Sequence, residues 1–161
     1  MLVQETFLVF LIICLNDGQE VEKKVCLDGW VQATWVDLGC LLFDTTAFVD
    51  WEEANTVCQT FPNGRLVEIQ TEEQMEFVQM ELVAIDEGGH DWWTGGTDLG
   101  HEDTWLWIRS LKAVPDFVFH AGEPNGGSKE NCMMFANEDD YEAQDHHCNY
   151  ETFPLCQQVI N

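Results

Sequence analysis

The sequence predicts an α+β domain with two helices, several short strands and three disulfides. Two segments have helical periodicity, later segments have the aromatic and β-branched composition of strands, and cysteines are spread along the chain. Helices followed by a run of short strands form an α+β domain. At 161 residues, of which 45% are hydrophobic, the chain is long enough for one domain with a substantial core.

The first segment, residues 1–18, is interpreted as a secretion signal, and residues 19–161 as the domain itself. The apolar run from Phe7 to Leu15 is too short to span a bilayer but has the length of a signal h-region, and Gly18 is a small residue near the cleavage point. A buried N-terminal strand is the alternative. Because no later segment has the length of a membrane span, we expect a secreted, extracellular protein.

The first regular elements follow this segment. "TWVDLGCLLF" predicts strand structure around Cys40. Between residues 49 and 61 the period changes, since Trp51, Ala54, Cys58 and Phe61 recur at helical spacing. This pattern predicts a helix with Cys58 on its inward face.

A second helix is predicted to begin at "TEEQ", where Thr71 can cap the helix and Gln74 can reach back to it. Its expected buried stripe is formed by Met75, Val78, Leu82 and Ile85. Four short strands are expected afterwards, at "WWTGG", "TWLWI", "NCMMFA" and "FPLCQQV". The tryptophans of the first two, Trp92, Trp93, Trp105 and Trp107, are predicted to be core residues.

The cysteines predict disulfides. Of seven cysteines, Cys14 leaves with the signal, and an even number in a secreted chain indicates three bonds. Zinc is the alternative, but no two cysteines have the close spacing of structural zinc sites, and the pair His146 and His147 stands beside a single cysteine. We interpret these histidines as surface residues.

The formal net charge is −24, from 30 acidic residues against six Lys and Arg. Such a charge repels phosphate backbones and anionic lipids, so we do not expect nucleic acid to be a partner. The acidic side chains either form a solvated surface or include a cluster that holds a divalent cation. Composition does not choose between these interpretations.

Sequence motifs favour a cluster that holds a cation over a solvated acidic surface, through a resemblance to a known family. "CLDGW", "WEEANTVC", "GRLVEI", "WWTGGTD", "EPN" and "FPLCQQ" follow one another over about 130 residues in the order of the C-type lectin-like domain, in its long form with an extra N-terminal disulfide. The chain resembles secreted invertebrate members with the mannose-type "EPN" motif. The resemblance implies that family's fold, with a long calcium-binding loop region. It also implies three disulfides: Cys26 with Cys40, Cys58 with Cys156, and Cys132 with Cys148.

The resemblance also implies a Ca²⁺ site at Glu123, Asn125, Glu130 and Asp145, with the proline of "EPN" in the cis form. Carboxylate and amide oxygens are the ligands that calcium prefers. The family's Trp-Asn-Asp motif is replaced here by "AQD", so Gln144 stands in the place of an asparagine. A solvated turn is the alternative interpretation of the "EPN" segment.

Carbohydrate binding is the function that the resemblance implies, through the four ligands and Gln144. The order of acid then amide in "EPN" resembles the mannose-type motif, whose ligands are mannose, fucose, glucose and N-acetylglucosamine. Asp98 and Glu102 resemble two ligands of a second calcium ion, but Gly126 stands where that site needs another carboxylate, so we do not expect a complete second site.

We therefore expect a lectin that recognises mannose-type sugars on cell or microbial surfaces, in innate immunity. The alternative is a calcium-independent binding module of the same fold for a protein or another non-sugar ligand. An enzyme is not expected, because Ser110 and Ser128 are the only serines and the cysteines are assigned to disulfides. With no cysteine left to link chains, any homo-oligomer is expected to be weak and non-covalent.

Overall fold

The computed structural model describes residues 26–160, and the segment interpreted as a secretion signal lies outside them. Two α-helices and eight strands are formed by these described residues. The helices are α1 (Trp51–Gln59) and α2 (Glu72–Ile85). The strands are β1 (Val31–Ala33), β2 (Gly39–Phe43), β3 (Gly64–Leu66), β4 (Trp92–Thr97), β5 (Leu106–Trp107), β6 (Cys132–Phe135), β7 (Ala143–His146) and β8 (Phe153–Gln158).

The last strand of the chain, β8, lies in the middle of the sheet. It pairs antiparallel with β2 and with β3, and it runs parallel to β4. Strand β4 pairs antiparallel with β6, which in turn pairs with β7. Strand β1 extends the sheet beyond β2, and the short β5 pairs with β4. The predicted α+β class is confirmed. Strands β6 and β7 form the end of the sheet that lies opposite β1.

Helix α1 buries the face that its periodicity predicts. Asp50 caps the helix by accepting a hydrogen bond from the backbone N–H of Glu53 at 2.9 Å. Trp51, Ala54 and Cys58 are buried, and the indole Nε1 of Trp51 donates to a backbone carbonyl of β4 at 2.8 Å. The inward position predicted for Cys58 is confirmed.

Helix α2 begins as the sequence predicts. The Thr71 hydroxyl accepts a hydrogen bond from the backbone N–H of Gln74 at 3.2 Å. Gln74 reaches back one residue further than the capping residue, because its Oε1 accepts from the backbone N–H of Gln70 at 2.7 Å. Its Nε2 donates to the backbone carbonyl of Val36 at 2.9 Å, so this side chain also holds the segment after β1.

The buried stripe of α2 differs from the prediction at its end. Met75, Val78 and Leu82 are buried as expected, but Ile85 is 44% exposed. Phe77, which was not predicted to be buried, is 5% exposed and stacks edge-on against Trp35. The prediction for Ile85 was wrong because the last turn of α2 extends past the core that its earlier turns contact.

Three disulfides are formed, with the pairs that the resemblance implies: Cys26–Cys40, Cys58–Cys156 and Cys132–Cys148. The first joins the N-terminal segment to β2, and the second joins α1 to β8 across 98 residues of chain. The third, across 16 residues, joins the start of β6 to the segment after β7. This last bond holds the two strands that flank the expected binding site.

Aromatic side chains fill the core between the helices and the sheet. All four predicted tryptophans are buried, since Trp92, Trp93 and Trp107 are at most 1% exposed and Trp105 is 9% exposed. Of the two histidines predicted at the surface, His147 is exposed and His146 is half-buried. Among residues 26–160, no helix has both the length and the apolar character that crossing a membrane requires.

Candidate functional site

The "EPN" segment lies in a long loop between β5 and β6. The peptide bond between Glu123 and Pro124 is cis, as the resemblance implies. The backbone N–H of Glu123 donates to the carbonyl of His120 at 3.0 Å. Asn125 Nδ2 donates to Glu123 Oε1 at 2.7 Å, so the acid and the amide of the motif face each other.

Asp145, on β7, holds this loop against the sheet. Its carboxylate is 4% exposed and accepts two backbone hydrogen bonds, from Asn125 at 2.9 Å and from Gly126 at 2.8 Å. Its own backbone is fixed because β7 pairs with β6, with Asp145 opposite Met133. The structure therefore brings Asp145 to the "EPN" segment although about twenty residues separate them in sequence.

The carboxyl group of Glu123 has an unusual electrostatic environment. Partial burial raises its pKa to about 7, helped by a hydrogen bond with Asp145 and by the negative charges of Asp145, Asp139 and Glu130. Two carboxyl groups that share a hydrogen bond cannot both be ionised without repulsion. Either a proton on Glu123 or a nearby cation removes that repulsion.

Glu130 lies at the end of the same loop, after a short 3₁₀ helix at Gly127–Lys129. Its Oε1 is 3.4 Å from Nε2 of His147. Its Oε2 lies so close to Gly126 that a side chain at position 126 would collide with it. The glycine thus leaves room for Glu130 beside the "EPN" segment.

Gln144 precedes Asp145 on β7, and its amide is already engaged. Its Nε2 donates to Oδ2 of Asp139. The other oxygen of Asp139 lies 3.6 Å from Nε2 of His120, whose Nδ1 is 2.9 Å from Oε2 of Glu142. The sequence motifs did not identify Asp139 or His120 as neighbours of the site. The acidic run "NEDD" before "AQD" was a signal for Asp139.

The two residues that resemble ligands of a second ion lie beside this site. Asp98 is 4% exposed; its Oδ2 accepts from the backbone N–H of Asp103 at 3.0 Å, while its buried Oδ1 has no hydrogen-bond partner among residues 26–160. Burial raises the pKa of Asp98, and the charges of Asp145 and Asp103 raise it further. Partial desolvation and the charge of Asp98 likewise raise the pKa of Glu102.

The donor set of the loop fits a calcium ion. The four expected ligands offer carboxylate and amide oxygens, and the shared hydrogen bond between Glu123 and Asp145 marks an excess of negative charge. Within the described part of the chain, no group of three or more His, Cys, Asp or Glu side chains has its atoms arranged around a common metal position. Asp145 faces two backbone amides and Glu130 faces His147 in this arrangement.

Comparison with known proteins identifies the family. The profile of the lectin C-type domain matches residues 49–158. The chain belongs to the C-type lectin domain family. All the expected site residues of this C-type lectin domain lie inside the matched range.

Its relatives agree with that assignment. A perlucin-like protein of Mytilus galloprovincialis is 28% identical over 144 residues, which cover 89% of this chain and 88% of the relative. The CD209 antigen of Gorilla gorilla gorilla is 30% identical over 109 residues, 66% of this chain, but the matched part is only 24% of that protein. The carbohydrate-recognition domain of the mouse scavenger receptor C-type lectin superposes with a TM-score of 0.72 at 22% identity, covering 84% of this chain and 98% of the other. This last likeness confirms the C-type lectin fold.

Proposed function

We propose that this C-type lectin domain is a secreted, calcium-dependent carbohydrate-binding protein that recognises mannose-type sugars. The observation that carries the proposal is the meeting of Glu123, Asn125 and Asp145 in one loop site, where negative charge accumulates beside an amide. The scavenger-receptor domain of the same fold is described as a carbohydrate-recognition domain, which supports the class of ligand.

Glu123, Asn125, Glu130 and Asp145 would hold the calcium ion through their side-chain oxygens. When bound, the ion supplies coordination sites for two neighbouring hydroxyl groups of a sugar. The carboxylates of Glu123 and Glu130 would accept hydrogen bonds from the sugar hydroxyl groups, while N–H groups of Asn125 and Gln144 would donate to the hydroxyl oxygens. Asn125 retains one N–H for this purpose, because the other donates to Glu123.

The specificity proposed here follows from the order of acid and amide. Glu123→Gln together with Asn125→Asp keeps the net charge but exchanges the acceptor and donor positions around the sugar. We expect preference on a glycan array to move from mannose-type sugars toward galactose. An unchanged ranking, or loss of all binding, would assign the specificity to Gln144 or to other loop residues instead.

The experiment that tests calcium-dependent sugar binding is retention on mannose-agarose. We expect the protein to be retained in calcium and released by a chelator, and we expect calcium to raise the melting temperature. Binding of a ligand to the folded state alone stabilises it by about 2.7 kcal/mol at a hundredfold excess over Kd. Identical melting curves in calcium and in chelator would contradict the proposal.

A calcium-independent binding module is the second candidate function. It is favoured by the partners that the site residues already have, since Asp145 accepts two backbone hydrogen bonds and the Gln144 amide donates to Asp139. Retention of a glycan or protein ligand that a chelator does not reverse would support this candidate over the first.

The proposed biological role is recognition of microbial or cell-surface glycans in innate immunity. A site that binds two hydroxyl groups at an open surface has low affinity, so capture of a glycan-coated cell requires several linked sites. Since the six cysteines of the described residues form disulfides within the chain, we propose that any multiplication of sites is non-covalent. Sedimentation with and without reductant tests this, and a reducible dimer would contradict it.

A further inference from the structure

The amide of Gln144 occupies the position where the family's motif has a shorter asparagine, and in the structure it is held by Asp139. We propose that Asp139 is a positioning residue, which fixes the orientation of Gln144 so that glutamine can act in the site. The inference rests on the proposed function and deepens it. Asp139 contacts neither the "EPN" segment nor Asp145 by a hydrogen bond, so its role is exerted through Gln144.

Asp139 is itself rigidly placed. It ends a 3₁₀ helix at Asn137–Asp139, in the connection between β6 and β7. Its backbone N–H donates to the carbonyl of Ala136 at 3.2 Å, and its carbonyl accepts from Glu142 at 2.9 Å. Because the N–H and the carbonyl of Asp139 are both hydrogen-bonded within the turn, the backbone that carries its carboxylate is held next to β7.

His120 connects this turn to the part of the long loop that directly precedes the "EPN" segment. Its ring lies between two carboxylates, with Nε2 3.6 Å from Asp139 and Nδ1 2.9 Å from Glu142. Its backbone N–H donates to Ala143 at 2.9 Å, and its carbonyl accepts from Glu123 at 3.0 Å. His120 therefore contacts both the carboxylate that holds Gln144 and the first residue of the "EPN" segment.

The contact determines which atoms of Gln144 remain for a ligand. With Nε2 donating to Asp139, the amide oxygen points away from that carboxylate, because two oxygens would repel each other. One N–H of the amide stays free for a sugar hydroxyl. Glutamine has one more rotatable bond than asparagine, and fixing that bond before binding avoids the loss of its freedom when the ligand binds.

The first test compares the affinity for methyl α-mannoside in saturating calcium, by isothermal titration, in three proteins: wild type, Asp139→Ala and Asp140→Asn. Fixing a side chain only when the ligand binds costs affinity that a side chain already held in place does not lose. We expect Asp139→Ala to weaken mannoside binding about fivefold. Asp140 is an exposed acid of the same turn, so Asp140→Asn removes the same charge without touching Gln144 and is expected to have little effect.

A double-mutant cycle then separates positioning from charge. In a Gln144→Asn background the side-chain amide is one methylene shorter and is expected not to reach Asp139, so Asp139→Ala should have less than about a twofold effect on mannoside affinity. Asp139→Asn keeps an oxygen acceptor without the charge, and it should weaken binding less than Asp139→Ala in the wild-type background. Equal effects of Asp139→Ala in both backgrounds would overturn the inference.

The third readout needs no calcium. In chelator, the side-chain amide resonance of Gln144 is assigned by comparison with Gln144→Asn and followed by nitrogen-15 NMR. We expect it to shift in Asp139→Ala and to stay in place in Asp140→Asn; an unshifted resonance in Asp139→Ala would overturn the inference. Wild-type protein that binds no mannoside in calcium would refute the proposed function together with the inference, whereas mannoside binding that is indifferent to Asp139 would refute the inference alone.

Discussion

Replacement of Asp145 by asparagine tests how the loop is held on the sheet. The Asp145 carboxylate is 4% exposed and accepts hydrogen bonds from the backbone N–H groups of Asn125 and Gly126, at 2.9 and 2.8 Å. Asparagine has nearly the same shape but one acceptor oxygen, and its NH₂ group would face the second backbone N–H. Asp145→Asn therefore breaks one of the two bonds and weakens the other.

The expected loss is worked from these two bonds. Hydrogen bonds to a charged group contribute about 1.5–3 kcal/mol each, and a neutral bond contributes about 0.5–1.5 kcal/mol. Losing one charged bond and converting the other to a neutral one should lower the free energy of unfolding by about 2.5–4.5 kcal/mol in calcium-free protein. That is a large fraction of the stability of a domain of this size.

A competing effect has the opposite sign. Asp145 repels Glu123, so removing the charge of Asp145 relieves that repulsion. The pKa of Glu123 is about 7 in the calcium-free protein, so at pH 6 this group is mostly protonated and little repulsion remains to be relieved. At pH 6 the loss of hydrogen bonds should therefore dominate.

The assay is urea unfolding at pH 6 in chelator, followed by tryptophan fluorescence. Asp140→Asn is the matched control, because it removes one exposed acid near the site and should leave the unfolding free energy within about 0.5 kcal/mol of wild type. In excess calcium, the wild type should gain stability and Asp145→Asn should gain less. If Asp145→Asn were as stable as wild type in chelator, repulsion rather than hydrogen bonding would govern the loop, and the reasoning would fail.

Two further predictions concern the rest of the fold. Burial raises the pKa of Asp86, but hydrogen bonds, foremost that donated by Trp92 Nε1 at 3.1 Å, outweigh it and hold the pKa below its ordinary value. The stabilisation from the ionised Asp86 carboxylate is present above the pKa of this group in the unfolded chain and is lost as the pH falls through its pKa in the folded protein. Asp86→Asn should therefore lower the free energy of unfolding by about 2 kcal/mol at pH 7, and by progressively less below pH 4. Urea titrations at both pH values measure this. Removing the Cys26–Cys40 disulfide with Cys26→Ser and Cys40→Ser should reduce the free energy of unfolding by about 3 kcal/mol, since the bond closes a loop with a sequence separation of 14. Calcium affinity measured by titration should be unchanged, because this hairpin carries no site residue.

The helices show how far periodicity predicts a fold. The stripe predicted for the first helix is buried at Trp51, Ala54 and Cys58, whereas its last member, Phe61, lies beyond the end of α1 and is half-buried. Helix α2 has apolar residues on two faces, with Met80, Val83 and Ile85 exposed. Periodicity identified Met75, Val78 and Leu82 as buried but also assigned Ile85 to the core, because a stripe of apolar residues does not show where its contact with the core ends.

The site was predicted residue by residue from motifs, and its internal contacts were not. The "EPN" segment is recognisable as a motif of the family that the chain resembles, and Asp145 is recognisable because it keeps that family's spacing to Cys148. The contact between Asp139 and Gln144 depends on a turn in which Asp140 and Tyr141 both have positive φ angles, of 52° and 61°. Neither residue is a glycine, so the sequence gives no sign of that backbone conformation.

Ala143 explains why the site is ordered without the tryptophan that the family's motif has there. Ala143 is fully buried, pairs with Phe135 across the ladder between β6 and β7, and forms a bridge with Phe119 on its other side. The ring of Phe119 packs edge-on against Trp105 with centroids 5.5 Å apart. Aromatic bulk thus reaches this part of the core from other segments, and a small residue at 143 lets both neighbours approach. Because β7 is hydrogen-bonded on both sides at Ala143, the backbone of the next residues, Gln144 and Asp145, is held in place.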